Sequence, residues 1–172
     1  MIRIANYEVD VSIPLKLFTI GSHEQEEFHR PHGFSAHQIF ICSEGEGTFQ
    51  VINNEPIVMS TGQAVYIPEN RAYNCCPRNN EPWKLSLISF HASSPLLQSL
   101  RLIESSPLNL TGPNELHNRI DELWNLKLNT VDAAVASSIM LYTFLLQFKK
   151  FASPSENDSI QSSSATDEIV AN

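Results

Sequence analysis

Apolar and polar residues alternate in short runs from Arg30 to Phe90, and turn residues separate the runs. This pattern predicts a small antiparallel barrel. Its strands read as His37 to Cys42, Thr48 to Ile52, Pro56 to Met59, Ala64 to Ile67, Arg71 to Cys76 and Trp83 to Phe90. Turns are predicted at Glu44-Gly45-Glu46-Gly47, where glycine supplies positive φ, and at Asn53-Asn54, which suits a two-residue hairpin loop. Ahead of the barrel, Pro14 to Ile20 alternates and stops at Gly21, so residues 1–29 read as an arm with one or two strands. Ser22 to His29 is polar and acidic and reads as an exposed loop.

After Phe90 the period changes from two to about 3.6. Ser94-Pro95 starts one helix, with the serine at N-cap and the proline at N1. Gly112-Pro113 opens a second, with Leu116, Ile120, Leu123 and Trp124 on one face. Asn129-Thr130 caps a third, with Asp132 in its first turn and Lys149-Lys150 in its last, both placed to suit the helix dipole. From Ala133 to Phe148 this helix is apolar on more than one face, whereas a surface helix would show a polar side. It is therefore expected to pack on the barrel with one side and on a partner subunit with the other, with Leu141, Leu145 and Phe148 as the seam. The domain reading is an arm plus barrel over residues 1–92, a helical dimerisation segment of the same domain over 93–152, and a polar linker over 153–172.

The net charge of −8 includes no dense Lys/Arg cluster, so this chain by itself is a poor match for a phosphate backbone. Three cysteines with no CxxC pair suggest reduced, mostly buried thiols. Residues 1–8 lack the apolar core of a signal peptide. The longest apolar stretch, Ala133 to Phe148, falls short of the ~20 residues of a membrane span. A cytoplasmic location without membrane contact is the expectation.

Four of the six histidines, His23, His29, His32 and His37, crowd the first barrel strands, which invites a metal reading. A barrel of this size with such histidines is similar to metal cupins. Counting from Gly45, however, their glutamate position falls on Gln38 and their paired histidines near Pro31 and Gly33. The histidine of their second motif falls on Tyr73. No metal and no cofactor are therefore assigned, although His29, His32 and His37 could meet by another geometry. No nucleophile elbow, phosphate loop or carboxylate pair in an apolar setting appears, and no catalytic residue is assigned.

Taken in order, Arg30-Pro31-x-Gly33, Glu44-Gly45-Glu46-Gly47, Gly62-x-x-x-x-Ile67-Pro68-x-Asn70, the closer Trp83 to Phe90 and the helices after it resemble the N-terminal sensor and dimerisation domain of AraC-family transcription regulators. The resemblance covers about residues 5–152. It implies a mainly β fold with C-terminal α-helices: a cupin-like, double-stranded jelly-roll barrel without metal, followed by a helical dimerisation segment. It also implies a small-molecule effector, with a carbohydrate first among the candidates and a small acid next. It further implies a homodimer through the helices and DNA binding only by a C-terminal helix-turn-helix domain outside these residues. The chain is accordingly expected to be a truncated regulator or a free-standing sensor.

Arg30 matches the arginine that meets the sugar in a sugar-sensing member of the family. Leu85 and Leu87 stand where that member has polar and aromatic pocket residues, and Cys75 stands where it has a tyrosine. The pocket set is completed by His37 and by Tyr66, Tyr73 and Trp83, whose rings would offer stacking surfaces or else fill the barrel core. The alternative is a small cupin enzyme, such as a sugar isomerase or epimerase or a metal-dependent dioxygenase.

Overall fold

The alternation along residues 15–92 produces two antiparallel sheets that share one core. In chain order the strands are β1 (Ile2–Ile4), β2 (Leu15–Glu24), β3 (Phe28–Arg30), β4 (His37–Glu44), β5 (Glu46–Val51), β6 (Ile57–Ser60), β7 (Gln63–Ile67), β8 (Tyr73–Pro77) and β9 (Lys84–Ala92). Helix α1 (Ser94–Leu100), β10 (Leu108–Leu110), α2 (Pro113–Asn125), α3 (Val131–Phe151) and β11 (Ala152–Pro154) follow. The computed structural model describes residues 1–5, 12–79, 81–102, 106–126 and 130–154. Among these, one sheet runs β1-β2-β9-β4-β7-β10-β11 and the other β3-β8-β5-β6.

The turn at Gly45, with φ of 79°, carries the chain from the first sheet into the second. The facing sides of the two sheets close on Phe40, Phe49, Met59, Val65, Ile67, Tyr73, Trp83 and Leu85. Gly47 makes this possible at one point, because a Cβ there would overlap the indole of Trp83. Trp83 is fully buried and packs edge-on against Phe49 at 5.4 Å. This interior is the barrel that the sequence predicts.

The outer face of the larger sheet carries the second core. Leu15, Leu17, Ile20, Ile39, Ile41, Ile88 and Phe90 meet Leu116, Ile120 and Leu123 of α2 and Leu141, Phe144, Leu145 and Phe148 of α3. Barrel and helices thus share one apolar layer, of the kind that stacks a helix on a sheet. α3 starts as predicted, with the Thr130 hydroxyl accepting from Ala133 N at 3.1 Å. The cap of α1 shifts by one residue to Ser93, whose side chain makes no capping bond.

Several sequence readings are corrected. β2 continues through Gly21 to Glu24, so Ser22 to Glu24 is strand and not loop. The Asn53-Asn54 turn belongs to a longer loop, since the last β5–β6 pair is Phe49 with Ile57. Pro56 next to that pair has no N–H to extend the ladder. β10 and β11 extend the sheet beyond β7, and Ser153 and Pro154 lie in β11, so the predicted linker starts inside a strand. The rest of that linker lies outside the described residues.

α3 is, by length and composition, long and apolar enough to cross a membrane, contrary to the sequence reading. One side of it nevertheless packs on β2 and α2 through Ala134, Ser137, Leu141, Phe144, Leu145 and Phe148. Leu141, Leu145 and Phe148, assigned as the dimer seam, are at most 1 % exposed within the single chain. They are core residues because they pack in the apolar layer between α3 and the larger sheet, on the same side of the helix as the fully buried Ala134 and Ser137. The opposite face carries Val131, Val135, Ile139, Tyr142 and Leu146, exposed by 41 to 62 %.

Candidate functional site

Strand alternation determines which side chains reach the barrel interior. On β4, Gln38, Phe40 and Cys42 point inward while His37, Ile39 and Ile41 point to the helices. Register then fixes their neighbours: Phe40 lies opposite Leu87 of β9 and Cys42 opposite Leu85. Across the barrel, β3 pairs with β8, so that Arg30 lies opposite Tyr73 and Phe28 opposite Cys75. Gly33, with φ of 73°, tightens the turn after Arg30, and a Cβ there would come within 2.5 Å of the Asn70 carbonyl carbon.

These strands enclose a cavity of about 350 Å³. Phe40, Leu87, Cys75 and Phe28 give it apolar walls, and Ile2 from the N-terminal arm closes one side. Arg30, Gln38 and Tyr73 supply the polar groups of its interior, and His23, Gln25 and Glu24, Glu26 and Glu27 form its mouth. The volume and the ratio of apolar wall to placed polar groups are those of small-molecule sites.

The guanidinium of Arg30 lies against two phenyl rings, 4.7 Å from the centroid of Phe28 and 4.7 Å from that of Phe34. Cation–π contact of this kind fixes the plane of the fork without using its N–H groups. Its Nε is buried without a hydrogen-bond partner, and no ion pair to Arg30 occurs among the described residues. The Tyr73 hydroxyl donates to Gln38 Oε1 at 3.1 Å. Burial pushes the Tyr73 phenol up to about 12, against the opposing pull of Arg30, so it stays a neutral donor. Burial likewise pushes the Cys75 thiol up to about 12, with Cys76 adding to the shift and Arg30 opposing it. A thiol in that state is a wall residue and a poor nucleophile.

Of the eight pocket residues expected from sequence, Arg30, Tyr73, Cys75 and Leu87 line this cavity. Trp83 and Leu85 are fully buried in the barrel core and do not line it. His37 and Tyr66 are on the wrong side of the sheet, because they occupy the other phase of the alternation. The Tyr66 hydroxyl donates to His37 Nδ1 at 2.9 Å, and the imidazole stacks on Phe90 at 5.5 Å. Burial lowers the His37 pKa, opposed by Glu69, so the ring is neutral and acts as an acceptor. The sequence reading missed Gln38, Phe40, Phe28 and Ile2. A polar Gln38 in phase with Cys42 on an inward strand face was the available signal for the first.

The histidines proposed as alternative ligands do not converge. His29 points outward and bonds Asn74 Oδ1 at 3.0 Å, His32 is exposed in the turn, and His37 is buried behind β4. Among the described residues no group of three or more His, Cys, Asp or Glu side chains could hold a metal ion.

A second polar array lies under α2. Ser22 Oγ and Ser86 Oγ are 2.8 Å apart, and Ser86 Oγ is 3.1 Å from His117 Nδ1. Next to it, Arg3 of the N-terminal arm donates from Nη2 to the Leu123 and Leu126 carbonyls, both at 3.1 Å, and covers the Trp124 ring at 5.3 Å. A cation on carbonyls at the end of a helix satisfies groups that have no intrahelical partner and suits the dipole. The arm thus touches the cavity through Ile2 and the helical layer through Arg3.

A family model described as the AraC-like ligand binding domain matches residues 14–145. No curated protein sequence matches the chain. Among solved structures the chain is similar to the protein YhaK from Escherichia coli, at 12 % identity and a TM-score of 0.45, over 54 % of this chain and 44 % of that one. It is also similar to a cupin superfamily protein from Desulfitobacterium hafniense DCB-2, at 9 % identity and a TM-score of 0.37, over 53 % and 76 % of the two chains. A cupin-2 domain containing protein from Shewanella frigidimarina NCIMB 400 matches at 18 % identity and a TM-score of 0.35, over 51 % and 78 %. The chain spans less than half the length of YhaK.

Proposed function

The chain belongs to the AraC-like ligand-binding domain family, and on that premise we propose that it is the effector-sensing and dimerisation module of a transcription regulator. The observation that carries this reading is the cavity inside the barrel. It is apolar on most of its wall, and Arg30, the cation that lines it, has no acid in ion-pair contact among the described residues. A concave site with mostly apolar walls and a few placed polar groups suits a small molecule.

The exposed face of α3, with Val131, Val135, Ile139, Tyr142 and Leu146 at spacings of three and four, is the surface we assign to the homodimer. DNA contact is the work of a helix-turn-helix domain outside these residues. The N-terminal arm supplies the link between effector and output. An occupied cavity would press on Ile2, and through Arg3 the arm holds the C-terminal end of α2. Effector binding shifts the regulator only to the extent that it favours one placement of arm and helices over the other.

The competing reading is a small cupin enzyme. Purification without chelators, followed by elemental analysis and a thermal-shift screen of sugars and small acids, separates the two. The sensor reading expects stabilisation by at least one organic compound and substoichiometric metal. A stoichiometric transition metal whose removal abolishes compound binding would overturn it.

A further inference from the structure

We infer that the effector is a small monocarboxylate with an apolar body, its carboxylate seated on Arg30. The inference deepens the sensor reading and rests on it. Three features of the cavity lead to it.

The first is charge. Arg30 is a half-buried guanidinium with no ion-pair partner among the described residues, and its Nε is buried and unpaired. Most such cations in a protein interior are neutralised by an acid. Here the guanidinium lies against the phenyl rings of Phe28 and Phe34 and beside the Tyr73 hydroxyl, and Arg30 lines the cavity. A planar fork of N–H donors held in this way matches a carboxylate in two-point contact.

The second is the scarcity of other polar groups. Among the described residues that line the cavity away from residues 24–27 and His23, the polar side chains besides Arg30 are Gln38 and Tyr73, and they already bond to each other. A neutral sugar would leave most of its hydroxyls against Phe40, Leu87, Cys75 and Phe28, each without a partner. Burying an unpartnered hydroxyl is costly.

The third is the mouth, where Glu24, Glu26 and Glu27 stand. One cation inside and three acids at the entrance favour a single negative charge held deep. A phosphate ester or a dicarboxylate would carry its second charge toward the glutamates. The body of the ligand, which passes between those acids and the apolar wall, is then uncharged.

The test uses the whole chain and pairs of probes that differ only in charge. Benzoate, hexanoate and a panel of related monocarboxylates are titrated against their primary amides by saturation-transfer NMR and calorimetry, with phenyl phosphate, succinate, glucose and arabinose alongside. The expected result is at least one acid that binds about 10- to 100-fold more tightly than its amide, the range of a charge-assisted hydrogen bond. That preference should be lost in Arg30→Gln and partly kept in Arg30→Lys, with the fold of each variant checked by circular dichroism. Tyr73→Phe, which leaves the cation in place, should keep the acid-over-amide preference. Equal binding of acid and amide, tighter binding of phenyl phosphate or succinate, or an unchanged preference in a folded Arg30→Gln would overturn the inference. If glucose or arabinose binds in the cavity and no acid does, the monocarboxylate inference fails and the sensor reading stands. If no probe of any class binds, both fail.

Discussion

Truncation of Ile139 to alanine separates the exposed face of α3 from its buried face. Ile139 is 62 % exposed and lies on the face with Val135, Tyr142 and Leu146. In the monomer the change removes side chain that is mostly in water, and alanine is the better helix former, so the folding free energy should move by no more than about 0.5 kcal/mol. In a symmetric dimer each copy loses three carbons that association would bury. At about 0.8 kcal/mol per buried methylene, scaled by the exposed fraction and doubled for two copies, the loss is about 3 kcal/mol. That weakens dimerisation roughly 100-fold, since each 1.4 kcal/mol is a factor of ten. Sedimentation equilibrium over a wide concentration range reads the dissociation constant directly. Leu141→Ala is the contrasting control: Leu141 is fully buried, so the variant should lose about 2–5 kcal/mol of fold stability, seen as a lower Tm. The assignment of the dimer face is refuted if the wild-type chain is monomeric at every concentration, or if Ile139→Ala dimerises as the wild type does.

Two further outcomes follow from the contacts of the arm and from the buried histidines. Arg3→Ala removes both bonds to the end of α2 and should cost the arm about 2 kcal/mol, so the β1 amides should exchange roughly 30-fold faster with deuterium while those of β4 and β9 are unchanged. His37 and His117 both have pKa values lowered by burial, the first opposed by Glu69 and the second by Asp121. Below their ordinary value near 6.5 the unfolded chain binds protons that the folded chain does not. Stability is therefore full above about pH 6.5 and falls as the pH drops through and below it, down to the lowered folded-state values. Tm measured from pH 8 to pH 5 should show this decline, and a flat profile would contradict the buried, neutral state of both rings.

The barrel was legible because its signal is periodic. Six strand segments and three helices stand close to where alternation and capping residues place them, with ends that shift by one to a few residues. What sequence did not carry was phase and partner. His37 and Gln38 are neighbours, and a one-residue difference sends one to the helices and the other to the cavity. The phase is set by Phe40 and Cys42 meeting Leu87 and Leu85, which is a tertiary fact. α3 was ambiguous for a similar reason, since it is apolar on both sides. Its core face contains the polar Ser137, fully buried and bonded to the Ala134 carbonyl at 2.8 Å, while Ile139 is left outside. β10 and β11 are three residues each, too short to show a period, and exist by pairing on the edge of β7. Arg30 was legible as a candidate and does line the cavity, but its lack of an ion-pair partner among the described residues was not, because that depends on which strands surround it.

The central claim is that the barrel cavity is where a small molecule acts. Leu87→Trp, placed opposite Phe40 on the cavity wall, fills that space and leaves the exposed face of α3 untouched. A metabolite library is screened against wild type and Leu87→Trp by Tm, with the folded state of the variant verified beforehand. At 100-fold excess over its dissociation constant a ligand adds about 2.7 kcal/mol, or roughly 5–10 °C for a chain of this size. The expected result is at least one compound that stabilises wild type by several degrees and leaves the folded variant unmoved. Equal stabilisation of both proteins, or of neither, would contradict the claim.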